Sequence, residues 1–190
     1  NDGYFRNSYD NSLLDKQNCG DIGTKFQWRK NFLSIDNPLA LSVLSQQGYP
    51  YAYMGAIDSS KEANEALIGS ICYNDPSSYD RIALTEGITA RHDWEKITLT
   101  SITSYQYLND RMVMDQDFLP QSYFTLEQAK QQHDISEDII IRSRTNNRYK
   151  WMVGIFGFYK HQKMQAPVNF LTDGIENLIL KNINQYSGYP

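Results

Sequence analysis

Strand-like segments of unusual length recur along this 190-residue chain, and the connections between them alternate between very short polar turns and long irregular stretches. Within each segment the side chains change character with a period of two, which places residues i and i+2 on one face of a strand. In 24–29 (TKFQWR), Phe26 and Trp28 share a face, while Lys25, Gln27 and Arg29 share the other. A turn is expected over 31–37 and a second strand over 39–45. Residues 81–92 (RIALTEGITARH) and 97–108 (ITLTSITSYQYL) read as the third and fourth strands, joined by the polar connection Asp93-Trp94-Glu95-Lys96. The fifth, 135–144 (ISEDIIIRSR), turns at Thr145-Asn146-Asn147-Arg148, where asparagine tolerates the left-handed backbone of a hairpin. The sixth is 149–161 (YKWMVGIFGFYKH).

Several segments exceed the mean strand of about five or six residues and reach the roughly 9–11 residues with which a tilted strand crosses a bilayer. The expected fold is therefore all-β, with antiparallel up-and-down strands from a transmembrane β-barrel and short helices in the long loops. A soluble antiparallel sandwich gives much the same alternation. Capping boxes mark the helices: Ser59 with Glu62 ahead of Ala63, Ala66 and Leu67, and Thr125 with Gln128 opening a helix over 125–132. Asp173 with Glu176 precedes Ile175, Leu178, Ile179 and Ile183, which follow helical spacing.

Mean hydropathy is -0.58, and no stretch approaches the roughly 18 apolar residues of a membrane-spanning helix. The net charge of -4, with basic residues scattered singly, argues against nucleic acid as a partner. No G-x-S-x-G, catalytic cysteine signature or phosphate-binding glycine loop is present, so no catalytic residue and no enzyme activity is expected. His92, His133 and His161 lie on separate segments without a zinc-binding spacing, and no metal or cofactor is expected from them. Asp110, Asp115 and Asp117 lack the glycine turn and bidentate glutamate of a calcium loop and read more simply as a solvated acidic loop. Cys19 and Cys72 are too far apart for a C-x-x-C motif; a disulfide between loops and two free thiols are both open readings.

The segment Gln46-Gln47-Gly48-Tyr49-Pro50-Tyr51 resembles the place in TonB-dependent outer-membrane receptors where a barrel strand ends in a GYPY-like sequence and enters an extracellular loop. The opening NDGYFRN, the run from LTSITSYQY through Asp115 and Asp117 to DFLP, the following Ser136-Glu137-Asp138 before IIIRS, and WMVGIF at 151–156 resemble further elements of that family in the same order. The resemblance implies a barrel closed around a plug, taking up a scarce nutrient with energy from TonB. An iron–siderophore-like complex is slightly preferred over haem, cobalamin or a glycan. It also implies a bacterial outer-membrane location with lipid as a partner. About six strands are expected here, with neither plug nor TonB box. An export signal is expected upstream of Asn1, so the chain reads as a segment of a longer receptor.

By the family rule, short turns face the periplasm and long loops face outside. The stretches 1–23, 48–80, 109–134 and 162–190 would then be extracellular, with Cys19 and Cys72 among them. The ligand-contact candidates are Tyr49, Tyr51, Tyr53, Arg111, Phe118, Tyr123 and Phe124, since rings stack on planar or sugar ligands and arginine pairs bidentately with carboxylates. Loop packing or an aromatic girdle is the plainer role for each. The competing function is a soluble secreted β-rich module, such as an adhesin or glycan-binding domain.

Overall fold

The computed structural model describes residues 2–55, 66–144 and 148–187. The chain folds as one long antiparallel meander in which β3 (Lys16–Lys30), β4 (Leu33–Gln47), β5 (Ser78–Asp93), β6 (Ile97–Asp115), β7 (Phe124–Ser143) and β8 (Met152–Gln165) lie side by side in chain order. A short hairpin, β1 (Phe5–Arg6) with β2 (Leu13–Leu14), precedes them. A short β9 (Val168–Phe170) and the helix α1 (Thr172–Ser187) follow. The expected all-β, up-and-down architecture is present, and the strands of 14 to 20 residues are longer than the sequence patterns alone delimit.

Tight turns close one end of the sheet. The first is only Asn31-Phe32, shorter than the expected 31–37, with Asn31 in the left-handed region at φ 53°. Strand β4 consequently runs through Pro38, which cannot donate to the ladder. Pairing with β5 lapses at 37–38 and resumes at Leu39↔Glu86. The Asn37 side chain bridges the lapse by donating from Nδ2 to the Gly87 carbonyl at 2.9 Å. The connection after Asp93 is tight, as expected; of the 145–148 turn only Arg148 is within the described residues.

At the opposite end the strands outrun expectation. Strand β6 continues to Asp115 and β7 starts at Phe124, so a loop expected over 109–134 shrinks to 116–123. The helix expected at 125–132 is strand, because Thr125 to Gln132 pair residue for residue with Asp115 to Leu108. Cross-strand pairing here overrides a local capping pattern. The first strand likewise begins at Lys16, not in the region of Thr24. Most of the expected helix at 59–70 lies outside the described residues, and 66–69 form a turn. The helix at the end of the chain does form, although Ile179 and Ile183 on its apolar stripe are exposed. Strands β8 and β9 keep one register against β7 and are separated only at Ala166-Pro167.

Residues paired across an antiparallel ladder share a face, so the register traces each face from edge to edge. One face carries Trp28–Ile35–Ala90–Ser101–Ile139–Ile155 and Ile22–Leu41–Leu84–Tyr107–His133–His161 on successive rows. The other carries Gly23–Ala40–Thr85–Gln106–Asp134–Lys160 and Gln27–Asp36–Thr89–Ile102–Asp138–Phe156. The first is the apolar face. The second is polar across β3 to β5 and acquires Ile140, Phe156 and Phe158 toward β8. Neither face is covered: Ile22 on the first is 67% exposed and Phe156 on the second 66%.

Among the described residues, every buried apolar side chain belongs to the loop end: Leu14, Tyr49, Tyr53, Cys72, Tyr73 and Leu119. The wall has no core of its own. All three tryptophans of the chain, Trp28, Trp94 and Trp151, gather instead at the turn end and are exposed, together with Phe32 and Tyr149.

Candidate functional site at the loop end

Three stretches converge beyond the wall: the β1–β2 hairpin, the described parts of the 48–77 connection (48–55 and 66–77) and the 116–123 loop. Asn7 ties the first two, donating from Nδ2 to the Tyr73 carbonyl at 2.6 Å, while Ser8 N donates to the Ile71 carbonyl at 2.8 Å. The GYPY junction needs its glycine. Gly48 has φ +73°, and a Cβ there would stand 2.6 Å from Leu14 Cδ2 and 3.2 Å from Leu14 Cα, so any other residue would be strained and would have to displace the Leu14 side chain.

Tyr49 follows, with its amide donating to the Tyr73 hydroxyl at 2.9 Å and its own hydroxyl donating to the Ser78 carbonyl at 3.1 Å. Burial pushes the Tyr49 hydroxyl well above the ordinary tyrosine range, and burial raises Tyr73 as well. Both phenols therefore stay neutral and act as hydrogen-bonding struts. The Tyr49 ring stacks on Tyr51 at 5.5 Å, and Tyr51 meets Phe118 edge-on at 6.1 Å. Beneath them Tyr53, Cys72 and Leu119 form a buried cluster against which Leu67, Phe118 and Tyr123 pack.

Two buried aspartates shape the 116–123 loop. Asp115 accepts the amides of Asp75 at 3.0 Å, Asp117 at 3.2 Å and Phe118 at 3.0 Å, and its own amide donates to Ser77 Oγ. Asp117 accepts those of Leu119 and Tyr123 at 3.0 Å and Phe124 at 3.1 Å. Burial raises the Asp115 carboxyl to about 7 and raises Asp117 too, against the pull of these amide donors. Each carboxyl group accepts three backbone N–H bonds, so the pair acts as a loop staple. The expected solvated acidic loop is thus replaced by a dry one, and Asp110 stands apart, accepting from the Tyr79 hydroxyl at 3.4 Å.

Of the sequence-derived ligand candidates, the structure brings together Tyr49, Tyr51, Tyr53, Phe118 and Tyr123. Tyr49 and Tyr53 are packing residues, 8% and 1% exposed, whereas Tyr51 is 48% exposed and presents its ring to solvent. Arg111 is separate. It lies on the apolar face of the wall and pairs with Glu127 at 2.7 Å, because residue 111 is in a strand and not in a loop. Phe124 opens β7 and packs against Phe170, with ring centroids 6.1 Å apart.

Of the two open readings for the cysteines, the structure has both as free thiols. Cys19 is exposed on β3, where it pairs with Leu44, and Cys72 is buried with its Sγ bonded to the Phe118 carbonyl at 3.4 Å.

Two features are invisible without the register. A cavity of about 380 Å³ opens between the hairpin and the 48–77 loop, lined by acceptor-rich groups that include Asn7, Asp10, Asn74 and Asp75. At the turn end, Arg91, Arg142, Arg144 and Lys150 line a second cavity of about 420 Å³ with Trp151. Asp93 neutralises part of that charge, lying 3.0 Å from Arg91 and 4.0 Å from Arg144. No group of three or more metal-binding side chains occurs among the described residues. No family model, curated protein or solved structure matches the chain.

Proposed function

We propose that this chain forms part of the wall and outer loops of a bacterial outer-membrane β-barrel, a TonB-dependent receptor that binds a scarce nutrient and imports it with TonB-derived energy. The observation that carries the reading is the coreless, two-faced sheet. A soluble sheet must cover its apolar face, and exposed apolar surface on this scale marks a membrane or partner surface. On β4 the apolar side chains run from Leu33 to Val43, about the length that crosses a tilted bilayer span. The exposed tryptophans at the turn end suit one bilayer interface. The polar face, with its small residues, suits a lumen.

The family assignment rests on the resemblance of ordered motifs, and the elements they fall on agree with it. GYPY lies at a strand-to-loop junction, DFLP in the stapled loop and WMVGIF at the opening of β8. The ligand would meet the stacked Tyr51 above the buried cluster. An iron–siderophore-like complex is preferred over haem, cobalamin or a glycan. No catalytic step is assigned to any residue.

Deleting the parent gene and growing the strain on a panel of iron and carbon sources tests the reading, with cell-envelope fractionation of the wild-type protein alongside. Loss of growth on one source, with the protein in the outer-membrane fraction, supports it. Unchanged growth throughout, with a monomeric protein in the aqueous fraction that melts cooperatively without detergent, overturns it in favour of a secreted β-rich binding module.

A further inference from the structure

The three histidines are far apart in sequence, yet β7 and β8 place His133 and His161 directly opposite one another on the same face. Side chains so paired have Cβ atoms about 4.5–5.5 Å apart, close enough for two imidazoles to reach one ion. The His133 ring is oriented by its surroundings. Its Nδ1 is 2.9 Å from the Tyr105 hydroxyl, and its ring lies 5.0 Å from that of Tyr107. Metal-binding histidines commonly use one nitrogen for the metal while a hydrogen bond to the other fixes the ring. Nε2 of His133 is the nitrogen left for a ligand.

We propose that His133 and His161 form a two-histidine site for a borderline divalent transition metal, Cu²⁺, Ni²⁺ or Zn²⁺, with Tyr105 as the positioning residue. Imidazole nitrogens suit these ions, whereas Mg²⁺ and Ca²⁺ require oxygen ligands. With two protein donors, the remaining coordination positions stay open to water or to a chelating partner. The row beyond the pair toward the loops is polar, Asn109–Gln131–Lys163, so the site lies at the margin of the apolar band and water reaches it. The inference rests on strand register and on the Tyr105 contact to His133, and it stands whether or not the chain belongs to a receptor.

Titration of the full chain with each metal ion alone, followed by calorimetry, tests it. One equivalent should bind, with Cu²⁺ tighter than Ni²⁺ or Zn²⁺ and no binding of Mg²⁺. His133→Ala and His161→Ala should each lower affinity by at least about a hundredfold. Tyr105→Phe, which keeps the ring and removes the hydroxyl, should lower it by roughly tenfold, the lower end for outer-shell partners. His92, edge-on to Trp94 with ring centroids 4.2 Å apart near the turn end, provides the control, and His92→Ala should bind as the parent does. Circular dichroism on each variant separates loss of the site from loss of the sheet. Undiminished binding in the double variant His133→Ala/His161→Ala, or no saturable binding in the parent chain, overturns the proposal.

Discussion

The wall and the loop end are built on opposite terms. In the wall, order comes from backbone ladders between sequence neighbours, and no apolar side chain of its long strands is buried among the described residues. At the loop end, stretches more than sixty positions apart, such as Asn7 and Tyr73, are held by side-chain-to-backbone bonds around a small buried cluster. Substitutions should therefore act locally at the loop end and through the surrounding medium in the wall.

The largest effect is expected from Asp117→Ala. Three amides lose their acceptor, that of Leu119 buried and those of Tyr123 and Phe124 part-buried, and an orphaned buried donor costs about 1–3 kcal/mol. Part of that cost is relieved by water entering the opened loop, leaving roughly 3–5 kcal/mol of local stability lost. Hydrogen exchange should show those amides unprotected, with the β6–β7 ladder around Thr103 and Glu137 unchanged. Loss of protection throughout the ladder would show that the two regions are a single cooperative unit.

The wall is broken by changing a face. Leu39 and Ala40 are sequence neighbours on opposite faces, the first on the apolar row with Glu86 and the second opposite Gly23 and Thr85. In a bilayer, Leu39→Lys should cost about 2–4 kcal/mol, as for a cation near the membrane midplane, while Ala40→Lys should cost little. Denaturation in lipid vesicles measures both. Equal costs would remove the basis for assigning the apolar face to lipid.

The same contrast explains what the sequence discloses. Alternation along Phe26-Gln27-Trp28 and around Ile97–Tyr107 exposes the strands and their two faces, because a period of two is a local property. Strand ends are not local. Residues 125–132 carry a helix-capping pattern, and only pairing with 108–115 makes them strand. The candidate site was partly legible: clustered tyrosines near GYPY and DFLP fall on loops that the structure brings together, but which of them are buried depends on the hairpin and on Cys72. The pairing of His133 with His161 depends on register, which no spacing along the chain reveals.

Acidity should affect the loop end in a defined direction. Burial keeps the Asp115 carboxyl protonated up to about pH 7, above its ordinary value of 3.8. Between those values the closed loop holds a proton that the open chain has released. That linkage supports closure on the acid side and withdraws as pH rises through about 7. Asp117 shifts in the same direction. Exchange protection of the Phe118 amide, corrected for intrinsic rate, should therefore fall between about pH 5 and pH 8, by less than in Asp117→Ala because the amide acceptors remain. Protection that rises over this window would mean that the amide donors outweigh burial.

The smallest effect tests whether the wall has any side-chain dependence at all. Pro38 interrupts the β4–β5 ladder, and Asn37 supplies the missing donor to the Gly87 carbonyl at 2.9 Å, with a weaker contact to Glu86 at 3.3 Å. Asn37→Ala should cost about 1 kcal/mol, the net worth of one such bond. Pro38→Ala in the same background should recover part of it, since alanine restores a backbone N–H able to join the ladder. Exchange at Ile88 and Thr89 reports the local change. A full loss with no recovery would locate the bond's value in holding Glu86, which faces the apolar side.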